Sequence, residues 1–466
     1  MKRIFSLLAI SAVLTLSAVS PAGVLGQPLV VTGQGTLDPF DRKIVKKIDA
    51  EQIYNHIGHL SEEPRVAGTE QEYRAVEYIQ EEFDSYGYET EIQPFTYIGY
   101  TAPDLVELSS VDYAGELNPS YFTYSVSGDV SGEIIKAGLG TEEDVSELEL
   151  TGKIALIQRG EISFAEKVLN AAGKGAAGVI IYNNSEGTLN GTLGGASDDY
   201  VPAVSLSQAE GEELSAFVES NPSAVFNLNI EGAEAGQHTS HNVIATKYPT
   251  NENKSTDEII VVGSHHDSVA GAPGANDDAS GVSVTLELAR VLKNMPTDTE
   301  IRFVTFGAEE LGLIGSYHYV DSLSEDEIER TIANFNLDMV GSRDAGDLVM
   351  ATLDGEENLV TELAQASSER LNGEATPVGR GGSSDHVSFA EAGIPAALFI
   401  HSPTEPWYHS PEDTIDKISK EKLQDVAEIA GTAIYDQARF NNQNRNPKKG
   451  TKIKAAPAEY HEQLIK

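Results

Sequence analysis

The 466-residue chain contains no cysteine. This absence excludes disulfide bonds, thiolate metal sites and a cysteine nucleophile, so any metal site must use histidine and carboxylate side chains. Basic residues are also scarce, because 32 Lys and Arg stand against 73 Asp and Glu and give a net charge of −41. Such a charge repels phosphate backbones and anionic headgroups, which argues against a nucleic-acid partner and against attachment to anionic lipid.

Long apolar runs are lacking except at the amino terminus. Lys2 and Arg3 precede an apolar stretch over residues 4–19, and small residues follow, so we interpret residues 1–26 as the signal peptide of a secreted, extracellular protein. A transmembrane anchor is the alternative, but the stretch is shorter than the ~20 apolar residues that a span requires. We therefore expect no membrane anchor after signal removal. Residues 441–466, first Asn-rich and then basic, are predicted to be disordered.

The pattern of apolar residues separates two regions of the chain. Residues 237–440 repeat a strand, loop, helix pattern, and apolar runs such as 259–262 and 396–400 are typical of buried parallel strands. Residues 27–97, with two predicted helices and one strand candidate, are assigned to the same domain. This predicts an α/β fold with a mixed, largely parallel sheet flanked by helices. Residues 98–236 consist of short β-like runs between Gly-, Ser- and Asn-rich turns, and we interpret them as a separate, β-rich domain.

Helical spacing of apolar residues predicts several helices. We expect one helix over residues 41–60, a second that starts at a capping pattern at Thr69 and runs to about residue 86, and a third over 324–333. Within the β-rich region the spacing predicts one amphipathic helix, over residues 164–172.

Histidine, aspartate and glutamate cluster where the predicted strands end. Ligands of open α/β sheets collect outside the carboxyl ends of strands, and several carboxylates at one edge would repel one another unless cations hold them. Five segments carry these residues: 263–268, 274–281, 307–310, 336–339 and 407–410.

The charges of these side chains match two divalent metals. Asp277, Glu310 and Asp338 carry three negative charges, His265 and His409 are neutral ligands, and two Zn²⁺ with one bridging hydroxide complete a neutral site. A carboxylate that bridges the metals, with one His and one further carboxylate on each, leaves a position open for water. Two metals can then share a hydroxide nucleophile and polarise a carbonyl together.

Glu309 lies next to a candidate ligand but is itself free to move protons. It is suited to take the proton from the attacking water and to deliver it to the leaving amine. Each motif alone has an ordinary interpretation: Glu309 and Glu310 as a solvated loop, Asp338 as a helix cap, His409 as a surface histidine. The five segments together, in this order, predict a catalytic site.

This order of motifs resembles the secreted double-zinc aminopeptidases of the bacterial leucyl type and of the aminopeptidase Y type. The motifs are His-x-Asp, an Asp twelve residues after that His, Glu-Glu, Asn-x-Asp-Met and Tyr-His, and the run Gly-Ala-Asn-Asp-Asp-Ala-Ser-Gly is highly specific. The resemblance implies that His265 and Asp338 hold one zinc, that Glu310 and His409 hold the other, and that Asp277 bridges them.

The same resemblance assigns roles around the metals. It implies Glu309 as general base and acid, and Tyr408 as a hydrogen-bond donor to the tetrahedral oxyanion. Asp267 would fix the orientation of the His265 ring, as ligating histidines usually require. Asp278 would support the site from behind its metal ligands, and the family places a cis peptide bond between Asp277 and Asp278.

Two further stretches resemble parts of this family. Ser384-Asp385-His386 is similar to a loop beside the substrate pocket, so Arg380, Asp385 and His386 are candidate pocket residues. The middle region, 98–236, resembles a protease-associated (PA) domain through residues 152–160 and 176–181. Such a domain either shapes access to the site or serves as a passive spacer.

The resemblance implies a monomeric, secreted metallo-aminopeptidase that uses two zinc ions on peptides or proteins with a free N-terminus. An acidic site that contains Glu309 and Asp338 suits a protonated α-amine. A carboxypeptidase on the same fold is one alternative, but it needs a basic cluster for the terminal carboxylate, and Arg380 is the one arginine placed near the site. A non-catalytic, receptor-like relative is the other, but such a protein should have lost metal ligands, and all five are present.

Overall fold

The structure, a computed structural model, describes residues 38–440. The predicted signal peptide (1–26) and the predicted disordered tail (441–466) lie outside these residues. The helices are α1 (Asp41–Val45), α2 (Ala50–Leu60), α3 (Glu70–Tyr86), α4 (Glu142–Val145), α5 (Phe164–Gly173), α6 (Gln208–Ser220), α7 (Ala279–Leu292), α8 (Ile314–Ser322), α9 (Glu325–Arg330), α10 (Leu359–Asn372), α11 (His386–Ala392) and α12 (Lys420–Ala438).

Strands alternate with these helices along the chain. They are β1 (Glu89–Thr101), β2 (Leu105–Ser109), β3 (Ser120–Tyr121), β4 (Gly128–Lys136), β5 (Ile154–Gln158), β6 (Gly178–Tyr182), β7 (Ala203–Leu206), β8 (Val225–Glu231), β9 (Glu234–Lys247), β10 (Ile259–His265), β11 (Glu300–Phe306), β12 (Thr331–Leu337), β13 (Asp347–Thr352), β14 (Val378–Arg380) and β15 (Ala396–Ser402).

A mixed sheet forms the centre of the larger domain. Between residues 38 and 440 it has eight strands in the order β1-β9-β11-β10-β12-β15-β13-β14. The four central strands, β11, β10, β12 and β15, run parallel, whereas β9 and β13 pair antiparallel with their inner neighbours. The apolar runs at 259–262 and 396–400 lie in β10 and β15, where both faces are covered. The predicted α/β fold with a largely parallel sheet is confirmed.

Helix α7 anchors the site to the core. All of its residues except Arg290 are buried, as expected for a helix that is apolar nearly all round. Its core cluster includes residues of α2, α3 and α12. The helix starts at the N-cap Asp278, so the residues just before it are carried by a rigid element. Among the described residues, no helix combines the length and apolarity that a membrane crossing needs.

A second sheet is built from strands that lie within the region predicted as an insert. In the described part of the chain it has seven strands, in the order β2-β8-β4-β5-β6-β7-β3, and β4, β5, β6 and β7 are parallel. Two apolar clusters cover its faces. Strands β1 and β9 connect this sheet to the larger domain. They pair antiparallel over thirteen residue pairs, from Glu89–Thr246 to Thr101–Glu234.

Three helix predictions were wrong in their extent or number. The helix predicted over residues 41–60 is two helices, α1 and α2, because Asp49 accepts a hydrogen bond from the Glu51 N–H and starts a new helix. The helix predicted over 324–333 ends at Arg330, where β12 takes over the chain. The insert contains α4 and α6 besides the predicted α5. A signal for α6 was present, because Ser207 and Glu210 form a capping box.

Two helical glycines give opposite predictions for the change to alanine. A Cβ on Gly281 would lie 2.1 Å from the carbonyl oxygen of Leu337, whereas a Cβ on Gly58 would meet nothing within 4 Å. We expect Gly281→Ala to lower the free energy of unfolding by about 1–3 kcal/mol through overpacking. We expect Gly58→Ala to raise it by about 1 kcal/mol through helix propensity.

Urea denaturation of the two variants beside the unchanged protein measures both effects. Equal shifts in the two variants would contradict this account of how tightly α7 packs on β12.

Candidate metal centre

The five predicted ligands converge at the carboxyl edge of the parallel strands. His265 is the last residue of β10, Glu310 lies in the loop after β11, and Asp338 directly follows β12. Asp277 lies just before α7, and His409 lies in the segment that follows β15. The sequence places these residues far apart, and the order of the strands in the sheet brings them together.

Asp277 lies between the two histidines. Its Oδ1 is 3.2 Å from His265 Nε2, and its Oδ2 is 3.2 Å from His409 Nε2. His265 Nε2 is also 3.6 Å from Asp338 Oδ1, and His409 Nε2 is 3.0 Å from Glu310 Oε2. Each imidazole thus faces one oxygen of Asp277 and one further carboxylate, which is the ligand division expected of two metals that share a bridging carboxylate.

The donor set fits divalent cations. Ligand atoms of His265, Asp277 and Glu310 lie within 4.8 Å of one another, and so do those of His265, Asp278 and Asp338. Asp338 Oδ1 and Glu310 Oε1 are buried and have no hydrogen-bond partner within residues 38–440. A buried carboxylate oxygen without a hydrogen-bond partner destabilises the folded protein unless a cation binds to it. The site therefore favours cation binding.

The charges of the site reinforce this preference. Burial alone would lower the pKa of His409, but Asp277 and Glu310 raise it to about 10. Burial raises the pKa of Glu310 to about 7, with the Asp277 carboxylate acting in the same direction. Carboxylates thus outnumber the cationic partners at this edge, and a bound cation would stabilise their ionised forms.

Glu309 is positioned for proton transfer. It follows β11, is only 8% exposed and directly precedes the candidate ligand Glu310. Burial raises its pKa well above the ordinary range for a glutamate. A carboxyl group whose pKa is raised in this way can both accept and return a proton during turnover.

Asp267 orders two of the segments that form the site. Its Oδ1 accepts a hydrogen bond from the Glu309 N–H at 3.1 Å, and its Oδ2 accepts one from the Glu310 N–H at 3.2 Å. The same Oδ1 lies 3.5 Å from His265 Nδ1. One buried carboxylate therefore orients the histidine ring and the turn that carries the two glutamates.

Both carboxylate oxygens of Asp278 accept hydrogen bonds from the backbone. Its Oδ1 accepts hydrogen bonds from the N–H groups of Gly281 and Met339, and its Oδ2 accepts one from the N–H of His265. Since both oxygens already serve backbone donors, Asp277 is the better candidate for a bridging ligand. The peptide bond between Asp277 and Asp278 is cis, as the resemblance implied.

Three non-glycine residues at the site have left-handed backbone. Their φ angles are 54° at Ala308, 58° at Met339 and 55° at His409. Ala308 precedes Glu309, Met339 follows Asp338, and His409 is itself a candidate ligand. Such conformations cost about 1–3 kcal/mol each and are typical of functional sites, and the amino-acid pattern gave no sign of them.

Tyr408 lies at the open side of the centre. Its side chain is 38% exposed, and its ring lies 3.7 Å from that of His409 between centroids. Partial burial raises the pKa of the Tyr408 hydroxyl, so this group keeps its proton and can donate a hydrogen bond. This placement agrees with the predicted role.

The three candidate pocket residues do not share a surface. Arg380, at the end of β14, is exposed, whereas Asp385 and His386 are completely buried. Burial raises the pKa of Asp385 to about 7, and its charged neighbours include His265, so it lies beneath the metal ligands. Burial lowers the pKa of His386 to about 4, and its position argues against direct contact with a substrate.

Sequence reasoning missed Arg65, which is completely buried beside the site. Its guanidinium donates hydrogen bonds to four backbone carbonyls, those of Leu60, His266, Pro273 and Gly274. It thereby fixes the loop between β10 and α7. A single arginine in an irregular stretch carries no pattern that would reveal this role. Asn276, Glu405 and Asp413 were also missed. Asn276 lies within the specific run 274–281, but that run does not reveal its contacts with residues far along the chain.

Comparison with known proteins identifies the family. Peptidase family M28 matches residues 242–434, and the PA domain matches residues 126–214. The chain is 39% identical over 424 residues to aminopeptidase YwaD of Bacillus subtilis (strain 168), covering 87% of this chain and 89% of that protein. The chain belongs to peptidase family M28. The prediction of a peptidase with an inserted PA domain is confirmed.

Solved structures agree with this assignment. An aminopeptidase from Aneurinibacillus sp. strain AM-1 is 55% identical, with a TM-score of 0.76 and coverage of 89% of this chain and 98% of that one. BSAP, described as a zinc aminopeptidase from Bacillus subtilis, is 38% identical, with a TM-score of 0.69 and coverage of 87% and 99%.

The role of Arg65 gives a stability prediction. Arg65→Met removes the donors of four backbone carbonyls, so we expect the free energy of unfolding to fall by about 3 kcal/mol. Urea denaturation of the metal-free protein measures it. Arg74→Met is the control, because Arg74 is an exposed residue that pairs with Glu63 at the surface, and its loss should change stability little. Equal stability of the two variants would refute a bracing role for Arg65.

Proposed function

We propose that this chain is a secreted, monomeric zinc aminopeptidase that removes the N-terminal residue from peptides and proteins with a free N-terminus, and that it uses two zinc ions. The observation that carries the proposal is the position of Asp277, whose two oxygens each lie 3.2 Å from a different histidine. The names of the relatives support it, because YwaD is named an aminopeptidase and BSAP a zinc aminopeptidase.

The ligand roles follow from this geometry. His265 and Asp338 would hold one zinc, Glu310 and His409 the other, and Asp277 both. Zinc ions bound there would polarise the scissile carbonyl and lower the pKa of a water molecule, so that a nucleophile forms near neutral pH. His409 is the most accessible of the five, with a side chain that is 36% exposed, so substrate would approach from its side.

Glu309 is proposed to carry the proton. Its carboxylate takes a proton from the attacking water and gives it to the nitrogen of the leaving peptide as the C–N bond breaks. Burial raises the pKa of this carboxyl group, which favours acceptance of the proton from water. Asp267 keeps the Glu309 backbone in place during this transfer.

Tyr408 is proposed to stabilise the transition state. As the carbonyl carbon of the substrate becomes tetrahedral, its oxygen gains negative charge. A hydroxyl that donates a hydrogen bond to that oxygen stabilises the charge. The Tyr408 ring is held against His409, yet the side chain is partly exposed, so it can reach a bound peptide.

The charge of the site favours the amino end of a peptide over the carboxyl end. A protonated α-amine suits Glu309, whose carboxylate is not a proposed ligand, and Asp338, a proposed ligand at the same edge. A carboxypeptidase would need a cation for the terminal carboxylate. Arg65 lies near the site, but its guanidinium is buried and donates to backbone carbonyls, so it is not available for that role.

A panel of aminoacyl p-nitroanilides tests the proposed reaction. We expect hydrolysis of substrates with a free amine and none of their N-acetylated counterparts, because acetylation removes the cation that the acidic edge receives. A chelator should abolish hydrolysis, and added Zn²⁺ should restore it. Equal turnover of free and acetylated substrates would exclude an aminopeptidase, and activity that survives complete metal removal would exclude a metallopeptidase.

The proton-transfer role predicts the behaviour of Glu309→Gln. Glutamine has nearly the same shape but cannot accept the proton, so kcat should fall roughly 10²- to 10⁴-fold while zinc content stays unchanged. Metal analysis and steady-state kinetics measure the two quantities. Glu356→Gln, an exposed change of the same kind, is the control. Full activity of the Glu309→Gln protein would contradict the assignment.

A further inference from the structure

Three segments that carry proposed metal ligands meet at one short turn. The turn is formed by residues 275–277 and carries Asp277. The loop after β12 carries Asp338, and residues 403–413, after β15, carry His409. The contacts between these segments do not involve the ligand atoms. They instead determine where the ligands lie relative to one another.

Asp413 holds three successive amides of the turn. Its Oδ1 accepts a hydrogen bond from the Asn276 N–H at 2.9 Å, and its Oδ2 accepts one from the Asp277 N–H at 3.1 Å. Its backbone carbonyl accepts one from the Ala275 N–H at 3.3 Å. Asp413 is completely buried and lies four residues after His409. The segment that carries one ligand thus fixes the backbone of another.

The side chain of Asn276 extends this connection to the other two segments. Its Oδ1 accepts hydrogen bonds from the N–H groups of Gly341 and Ser342, both at 2.8 Å, in the loop after Asp338. Its Nδ2 donates to Glu405 Oε1 at 2.7 Å, four residues before His409. Asn276 is completely buried, so its contacts are made away from solvent.

We propose that Asp413 is a positioning residue of the metal centre: with Asn276 it fixes the turn 275–277, so that the two oxygens of Asp277 face different metals before any metal binds. The inference rests on the proposed two-zinc function. A carboxylate can bridge two metals only when each of its oxygens faces a different metal. The backbone at Asp277 determines whether its side chain has that orientation. Both oxygens of Asp413 serve backbone amides, so it acts through Asp277 and not as a ligand.

Hydrogen–deuterium exchange of the metal-free, unchanged protein gives the first test. The proposal requires the Asp413 contacts in the metal-free protein, so we expect the amides of Asn276 and Asp277 to exchange much more slowly there than those of the largely exposed stretch 194–199. Exchange as fast as in that stretch would overturn the proposal, and this measurement needs no variant.

Asp413→Asn is the second test. Asparagine keeps the shape but can accept through only one oxygen, and its NH₂ faces a backbone N–H. We expect faster exchange at residues 276–277 in the metal-free protein, zinc affinity about 10- to 100-fold weaker, and an altered visible spectrum of the Co²⁺-substituted protein. Glu412→Gln is the matched control, because it removes a charge from the neighbouring, exposed residue and should behave like the unchanged protein.

A third variant separates position from charge. Asn276→Ala removes no charge but releases the same turn from Gly341, Ser342 and Glu405, so it should also weaken zinc binding and speed exchange at 277. If the Asp413→Asn protein does not fold, the Asn276→Ala protein alone tests whether the fixed turn is needed for zinc binding. Zinc affinity and exchange equal to those of the Glu412→Gln protein, in either folded variant, would overturn the proposal.

The zinc content of the unchanged protein distinguishes this outcome from failure of the proposed function. If the unchanged protein binds fewer than two zinc ions, the two-zinc function fails. If it binds two and the variants do so equally well, only the role of Asp413 fails.

Discussion

The candidate centre depends on one carboxylate that acts in two directions. Asp277 presents one oxygen to His265 and the other to His409, each at 3.2 Å, although these two histidines lie far apart along the chain. If this residue rotated, the remaining groups would form two unrelated polar clusters. The surrounding fold therefore has to hold one turn, immediately before the buried helix α7, in a single orientation.

Aspartates that are not proposed ligands do much of this holding. In the described part of the chain, the side chains of Asp267, Asp278 and Asp413 accept hydrogen bonds from seven backbone N–H groups of the segments around the site. Each is completely buried, and each connects segments that are distant in sequence. Buried carboxylates are costly in isolation, but hydrogen bonds to backbone amides stabilise them and fix the loops at the same time. The acidic character of the site thus serves its rigidity as well as its affinity for cations.

Sequence patterns predicted the parts of this architecture that depend on local order. Apolar runs located β10 and β15, and the succession of charged residues after strands located His265, Glu309 and Asp338. They could not predict contacts whose partners lie far apart, such as that between Asn276 and Glu405, 129 residues along the chain. Nor could they predict left-handed backbone at residues with side chains, since nothing in their chemistry requires it. Those features arise only when the strands are assembled.

The connection to the second sheet is made by paired strands and not by flexible linkers. Only residues 102–104 and 232–233 separate the ribbon of β1 and β9 from the strands β2 and β8. Before it leaves the larger domain, this ribbon contributes Phe95 and Tyr97 to an apolar cluster that also contains Ala308, the neighbour of Glu309. The sheet of the insert is therefore joined to the larger domain through the same strand that packs against Ala308, the neighbour of the proposed proton carrier.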